Sequence, residues 1–323
     1  MRTLTALFVG LGSIGTRHLK NLANLCADRG WTLQADALRS DPARPLRDGV
    51  AALLHRQFAD IRDAAPRYDL IFITNPTSLH ADALRTVYGR GEALFIEKPL
   101  FSAEQTHLDP ADYLPVGQKA YVAAPMRWCG VMQAVKERLP DLHPYCARVI
   151  CSSYLPDWRP GVDYRTVYSA RKALGGGVTI DLIHEWDYLA DLFGIPEKLY
   201  NFKGHYSELE IDSDDISMYI ARYPHLLAEV HLDYFGRGYR RKLELFCPDG
   251  SYLADFGAGT LTLPDGTVEH YEEDVNRRYE REMDYFVDYA LGEERTSCNP
   301  PALALQILKL TLGDLEDEAF VYH

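Results

Sequence analysis

The stretch that most limits what this chain can fold into is Gly10, Leu11, Gly12, Ser13, Ile14, Gly15, which follows directly on the apolar run from Leu4 to Val9. Apolar residues then recur at Leu19, Leu22, Ala23 and Cys26, which is helical spacing. The chain therefore opens as strand, glycine turn, helix. In such a G-x-G-x-x-G unit the first glycine permits the tight turn, the second lets the backbone approach a pyrophosphate, and the third lets helix pack on strand. Exposed N–H groups and the positive end of the helix dipole then hold phosphates. Gly10, Gly12, Ser13, Ile14 and Gly15 are thus candidate cofactor-binding residues, against the alternative of a merely structural glycine turn.

A chain of 323 residues is long enough for about two domains. Its 47 acidic against 34 basic residues give a net charge of −13, which disfavours non-specific binding to nucleic acid or to an acidic membrane. The six cysteines are scattered, with no C-x-x-C pair and no metal-like cluster with histidine. They read as small core residues in a reducing compartment, and no metal is expected. The N-terminus lacks the pattern of a secretory signal, so a cytoplasmic location is expected.

The second strand, Leu33 to Leu38, ends in Arg39 and Ser40. An NAD site usually places an acid near this point for the ribose 2′-hydroxyl, whereas arginine and hydroxyl groups suit a 2′-phosphate. Arg39 and Ser40 favour NADP. Asp36, at the distance of an NAD-type acid, keeps NAD open. A helix is expected over Leu46 to Gln57, then a buried parallel strand over Tyr68 to Thr74. That strand ends in Thr74, Asn75, Pro76, with His80 in the next helix. Another, Ala93 to Ile96, ends in Glu97, Lys98, Pro99. The carboxyl ends of parallel strands are where such sheets bind ligands, so Thr74, Asn75, Pro76, His80, Glu97 and Lys98 join the candidate cofactor site.

VGLGSIGTRHLKNL, TNPTSLH and FIEKPL, in this order and spacing, resemble the nucleotide domain of the glucose-fructose oxidoreductase, inositol dehydrogenase and rhizopine catabolism protein family. The resemblance implies an NAD(P)-dependent oxidoreductase in two parts. These are a doubly wound Rossmann domain over residues 1–124 and an α+β domain with a largely antiparallel open sheet over 125–323. It also implies a homodimer or homotetramer formed through that sheet. The family's E-K-P lysine meets the reacting substrate oxygen, and Lys98 is the matching residue. In the second domain the family shows Gly-Gly, an aspartate, and a histidine usually four residues later. Aligning on the glycines places Asp181, with His184 one residue early and Glu185 at the usual histidine position.

Val178 to Leu189 reads as one helix, with Asp181 and His184 at i and i+3 on a single face. His184 is the candidate acid/base and Asp181 its partner or a ligand for a substrate hydroxyl. The loop from Leu155 to Leu174 is dense in arginine and aromatic rings, which suits a hydroxylated or anionic ligand or an oligomer interface. The run YLPDWRPGVDYRTVYSARKALGGGVTIDLIHEWDYL resembles a subgroup tied to surface-sugar pathways. It implies a sugar, polyol or nucleotide sugar as substrate, with Arg127, Trp158, Tyr164, Arg165 and Tyr168 as candidate contacts. Three other readings stay open: a tightly held NAD serving a net non-redox cleavage or elimination, a non-catalytic nicotinamide sensor, and a site for another nucleotide such as a flavin.

Overall fold

The computed structural model describes residues 2–47 and 49–315. The chain begins β1 (Thr3–Val9), α1 (Ser13–Asp28), β2 (Thr32–Leu38), β3 (Leu54–Phe58), β4 (Tyr68–Ile73), α2 (His80–Thr86), β5 (Gly91–Ile96), β6 (Lys119–Val122). It continues α3 (Gly130–Leu142), β7 (Cys146–Tyr154), α4 (Val178–Asp181), α5 (His184–Phe193), β8 (Lys198–Gly204), β9 (Ile216–Arg222), β10 (Leu227–Asp233) and β11 (Phe235–Cys247). Then come β12 (Gly250–Asp255), β13 (Thr260–Thr262), β14 (Val268–His270), α6 (Asn276–Leu291) and α7 (Pro301–Thr311).

The described residues form two compact units, one drawn from 1–125 with 275–305, the other from 126–274 with 306–323. In the first, six strands pair in parallel in the order β3-β2-β1-β4-β5-β6. This is the doubly wound order whose direction reverses beside β1. Its strands are apolar runs because both faces are covered: Leu70, Ile71, Phe72 and Ile73 are all buried, as are Ala93 to Ile96.

Part of that cover comes from far along the chain. A division at 124/125 assigns residues 275–305 to the second domain, yet this segment returns to the first unit. The cause is the stripe Met283, Phe286, Val287 and Ala290 on α6, which is buried in the first unit's core. Phe286 meets the rings of Phe72 and Phe95 edge-on at 5.6 and 5.2 Å. Glu282 accepts from Tyr121 Oη at 2.8 Å and from the Ala124 N–H at 2.6 Å. Lys119 donates to the carbonyls of Tyr289 and Gly292 at the end of α6, 2.9 and 2.6 Å away.

The helix expected over Leu46 to Gln57 does not form, although Asp48 lies outside the described residues. Gly49 takes φ +76°, and Ala51–Leu53 make one 3₁₀ turn. From Leu54 the chain pairs with β2 as an edge strand. Sheet completion outweighs a weak helical periodicity here.

In the second unit eight strands run β14-β13-β12-β11-β7-β10-β9-β8, antiparallel except for β7 beside β10. Pro248–Gly250 and Pro264–Gly266 fall at hairpin turns between β11 and β12 and between β13 and β14. Ala147, Val149, Leu243, Val230 and Tyr219 form the covered face, and Trp186 of α5 meets Tyr219 edge-on at 5.1 Å. The other face leaves Phe202 (78%), Met218 (46%) and Ile220 (50%) exposed.

Candidate active site

The glycine turn divides its labour among three residues. Gly10 has φ +91°, and a Cβ there would lie 2.9 Å from Asn75 Cα. A side chain at Gly15 would meet Thr74 Oγ1 at 2.6 Å and the Gly10 carbonyl at 2.7 Å. Around Gly12 nothing lies within 4 Å. So Gly10 and Gly15 are held by packing, while Gly12 faces space. Thr74 donates from Oγ1 to the Gly10 carbonyl at 2.7 Å, tying the end of β4 to the turn.

α1 starts at Ser13 with no side-chain cap and no acidic residue in its first turn. Its orphan N–H groups and positive dipole end are therefore left for an anion. A cleft of about 710 Å³ opens there, lined by Gly10, Gly12, Ile14, Arg39, Ser40, Thr74, Asn75 and Pro76 among others. Its uncapped helix start and open Gly12 fit a dinucleotide's phosphates.

Arg39 stands at the rim, its guanidinium donating to Gln57 Oε1 at 2.7 Å and to the Arg44 carbonyl at 2.7 Å. Asp36 is turned away from this cleft. It is 2% exposed and accepts from Tyr68 Oη at 2.7 Å, Arg56 at 3.0 Å and His55 at 3.2 Å.

Two sequence-predicted cofactor contacts sit behind the cleft rather than in it. His80 is wholly buried, with Nε2 3.1 Å from the Asn75 carbonyl and Nδ1 3.1 Å from that of Leu100. Burial lowers its pKa below the ordinary histidine value, outweighing the carbonyls. It clamps one strand-end turn to the next. Glu97 points its carboxylate at His18, 2.6 Å away, and at the Lys98 N–H, 3.0 Å away. Lys98 itself is half-buried at the carboxyl end of β5, and its bond to Pro99 is cis.

In the second unit the expected single helix breaks. α4 ends at Asp181, Leu182 and Ile183 intervene, and α5 starts at His184, so the i, i+3 face argument does not apply. The Asp181 carboxylate is occupied by two phenols, Tyr168 Oη on one oxygen and Tyr234 Oη on the other, the latter at 2.5 Å. Burial and the Asp181 charge push both phenols' pKa values up, so they act as donors. Trp158 crosses Tyr234 edge-on at 5.2 Å and donates to Ser153 Oγ at 3.0 Å.

Glu185, at the resemblance's usual histidine position, is wholly buried in a two-point pair with Arg241 at 2.6 and 3.0 Å. His184 is half-buried beside it. Arg127 is not available to a ligand: it is 2% exposed and paired with Asp187 at 2.7 Å and Asp191 at 3.3 Å. Arg165 is exposed and paired with Asp163 and Glu210, each at 2.9 Å. Tyr164 Oη accepts from the Glu210 N–H at 3.2 Å.

Sequence reasoning missed His18, Tyr234 and Arg241. For His18 the only local signal was its place three residues past the last glycine. Tyr234 and Arg241 lie 53 and 56 positions from their partners, and no local pattern points to either.

Sheet order, glycine turn and cleft together define a Rossmann fold of the dinucleotide-binding type in the first unit. Residues 4–109 match the model of the Gfo/Idh/MocA family, described as an oxidoreductase family with an NAD-binding Rossmann fold. No curated protein sequence matches. Among solved structures, the chain is similar to the UDP-N-acetylglucosamine 3-dehydrogenase GnnA from Acidithiobacillus ferrooxidans (TM-score 0.71, 17% identity, 97% of this chain and 96% of that one). It is similar also to a levoglucosan dehydrogenase in complex with NADH and levoglucosan (TM-score 0.78, 15% identity, 97% and 96%). A third is an oxidoreductase from Agrobacterium radiobacter in complex with NAD+, L-tartaric acid and magnesium (TM-score 0.75, 17% identity, 96% and 94%). At these identities the likeness is one of fold. Among the described residues no helix is long and apolar enough to cross a membrane.

Proposed function

We propose that this protein is an NADP-preferring dehydrogenase or reductase, moving a hydride between the nicotinamide and a hydroxyl or carbonyl carbon of a sugar, polyol or nucleotide sugar. The observation that carries the reading is Lys98, an ammonium at a parallel strand's carboxyl end in the same sheet as the glycine turn. The bound nicotinamide supplies the carbon that takes or gives the hydride. The uncapped start of α1 holds the pyrophosphate. Arg39 and Ser40 receive a 2′-phosphate, and the withdrawal of Asp36 into its own ion pairs favours this over a free 2′-hydroxyl.

Lys98 stabilises charge on the reacting oxygen. His184 moves the proton, since Glu185 is held by Arg241. Asp181, with its two tyrosines, holds a substrate hydroxyl, and Trp158, Tyr164 and Tyr168 offer faces and hydroxyls to a sugar. The sugar dehydrogenases among the similar folds favour this substrate class. The exposed face carrying Phe202, Met218 and Ile220 is where a second copy of the chain docks in a homodimer or homotetramer.

The test follows nicotinamide absorbance with NADP or NAD, in both redox states, across sugars, sugar acids and nucleotide sugars. Turnover should favour NADP. Lys98→Ala should lower kcat by about 10²-fold or more, and Arg39→Ala should narrow the cofactor preference. Silence across the panel with cofactor still bound after purification overturns the reading in favour of a retained-NAD, non-redox reaction.

A further inference from the structure

Behind the Glu97-Lys98 turn stands a residue with no part in the chemistry above. His18 lies on α1, wholly buried, its ring 4.7 Å from that of Phe95 and 6.1 Å from that of Tyr279. Its Nε2 is 2.6 Å from Glu97 Oε1, while Glu97 Oε2 accepts the backbone N–H of Lys98 at 3.0 Å. His18 Nδ1 is buried with no hydrogen-bond partner among the described residues. The ring's proton is therefore best placed on Nε2, facing the carboxylate. Burial by itself raises Glu97 toward the neutral form. The contact with His18, the Lys98 ammonium and the Lys98 N–H outweigh it and hold the carboxyl below its ordinary range.

One unbroken series of contacts thus runs from the helix that starts at the phosphate turn, through a fixed carboxylate, to the main chain of Lys98. A lysine side chain has four rotatable torsions, and it can be aimed only if the backbone it leaves from is fixed. We infer that His18 is a positioning residue for Lys98, acting through Glu97 to couple the aim of the ammonium to the cofactor's phosphate turn. The inference rests on the reading of Lys98 as the group that meets the reacting oxygen. It predicts an effect on turnover rather than on cofactor affinity, because His18 touches neither the Gly12 opening nor Arg39.

The experiment uses the full chain with His18→Leu, which fills the space without a donor, and His18→Gln, whose amide nitrogen can replace Nε2. The Lys98 amide is followed by its chemical shift and solvent exchange in ¹⁵N-lysine-labelled protein, and assigned by its loss in Lys98→Arg. In parallel, kcat, KM and NADPH affinity are measured with the sugar found in the panel. His18→Leu should shift the Lys98 amide, speed its exchange and lower kcat by about a hundredfold. KM and NADPH affinity should stay within about threefold. His18→Gln should restore the amide and most of kcat.

An unmoved Lys98 amide in His18→Leu, or equal behaviour of the two variants, overturns the inference. If His18→Leu does not fold, His18→Asn, polar but too short to reach Glu97, makes the same comparison. An amide that responds with kcat unmoved upholds the coupling and removes Lys98 from the chemistry, which is a failure of the functional reading and not of this one. The amide arm decides even if the panel finds no substrate.

Discussion

The cleft of the first unit is shaped mostly by backbone, whereas the polar cluster of the second is assembled from side chains. Around Gly12 the working groups are N–H groups at the start of α1, kept open by what is absent: a cap, an acid, a Cβ. Around Asp181 and Glu185 they are carboxylates, each satisfied by donors brought in from distant elements, Tyr234 from beyond β10 and Arg241 from β11. A site made of backbone depends on local geometry and tolerates little added volume. A site made of buried charges depends on pairing, and losing one partner exposes the cost of burying the other.

The largest effect that would test this contrast is at Arg241. Replacing it with methionine keeps the apolar volume but leaves Glu185, wholly buried, without its guanidinium. Breaking such a pair from one side costs about 3–5 kcal/mol, and urea denaturation should show a loss of this size. Adding Glu185→Met in the same chain should recover most of it, because the pair is then replaced by apolar contact. A loss below about 1 kcal/mol, the range of an exposed pair, would mean that pairing does not govern this region.

The same contrast explains what could be read in advance. The parallel sheet, the glycine turn and the position of Arg39, Ser40 and residues 74–76 at strand ends around one cleft were legible because a glycine turn and buried parallel strands require particular residue types at fixed local spacing. The pairing of Asp181 with Tyr234 was not, since nothing near Asp181 in the chain specifies a partner 53 positions on. The expected helix through Asp181 and His184 was misread for a related reason. Apolar periodicity continues across the join, while the backbone departs from helical angles at Leu182, with φ −98° and ψ 29°. Arg127 was likewise a candidate substrate contact through the resemblance alone, and only the fold brings Asp187 and Asp191 to it. The return of α6 to the first unit was hidden because an amphipathic helix states which face is apolar, not which core receives it.

A smaller effect separates two glycines only three residues apart. Gly15→Ala forces a methyl against the Gly10 carbonyl and Thr74, an overpacking that should cost about 1–3 kcal/mol of stability. Gly12→Ala meets nothing within 4 Å and should leave stability within about 0.5 kcal/mol. It should nonetheless weaken NADPH binding by about tenfold or more, since the methyl occupies the space a phosphate would approach. Calorimetric melting of the two variants, with and without NADPH, checks both halves. Equal destabilisation by both would remove the distinction between a packing glycine and an approach glycine.

The smallest expected effect concerns a side chain in the unit otherwise shaped by backbone. His80 joins the Asn75 and Leu100 turns, and its burial holds its folded pKa below the ordinary 6.5. The unfolded chain therefore takes up a proton near pH 6.5 that the folded chain refuses. The stability His80 lends is present above pH 6.5 and is lost as the pH falls from there toward the lowered folded pKa, at a rate of at most about 1.4 kcal/mol per pH unit. The Glu97 contribution, also from a lowered pKa, is lost only below pH 4.5, under this window. Urea midpoints measured between pH 7 and pH 5 should decline in the native protein and flatten in His80→Gln, which keeps an amide donor for one carbonyl but does not titrate. An unchanged slope in the variant would assign the acid sensitivity elsewhere and leave the cleft of the first unit with no clamp that titrates between pH 7 and pH 5.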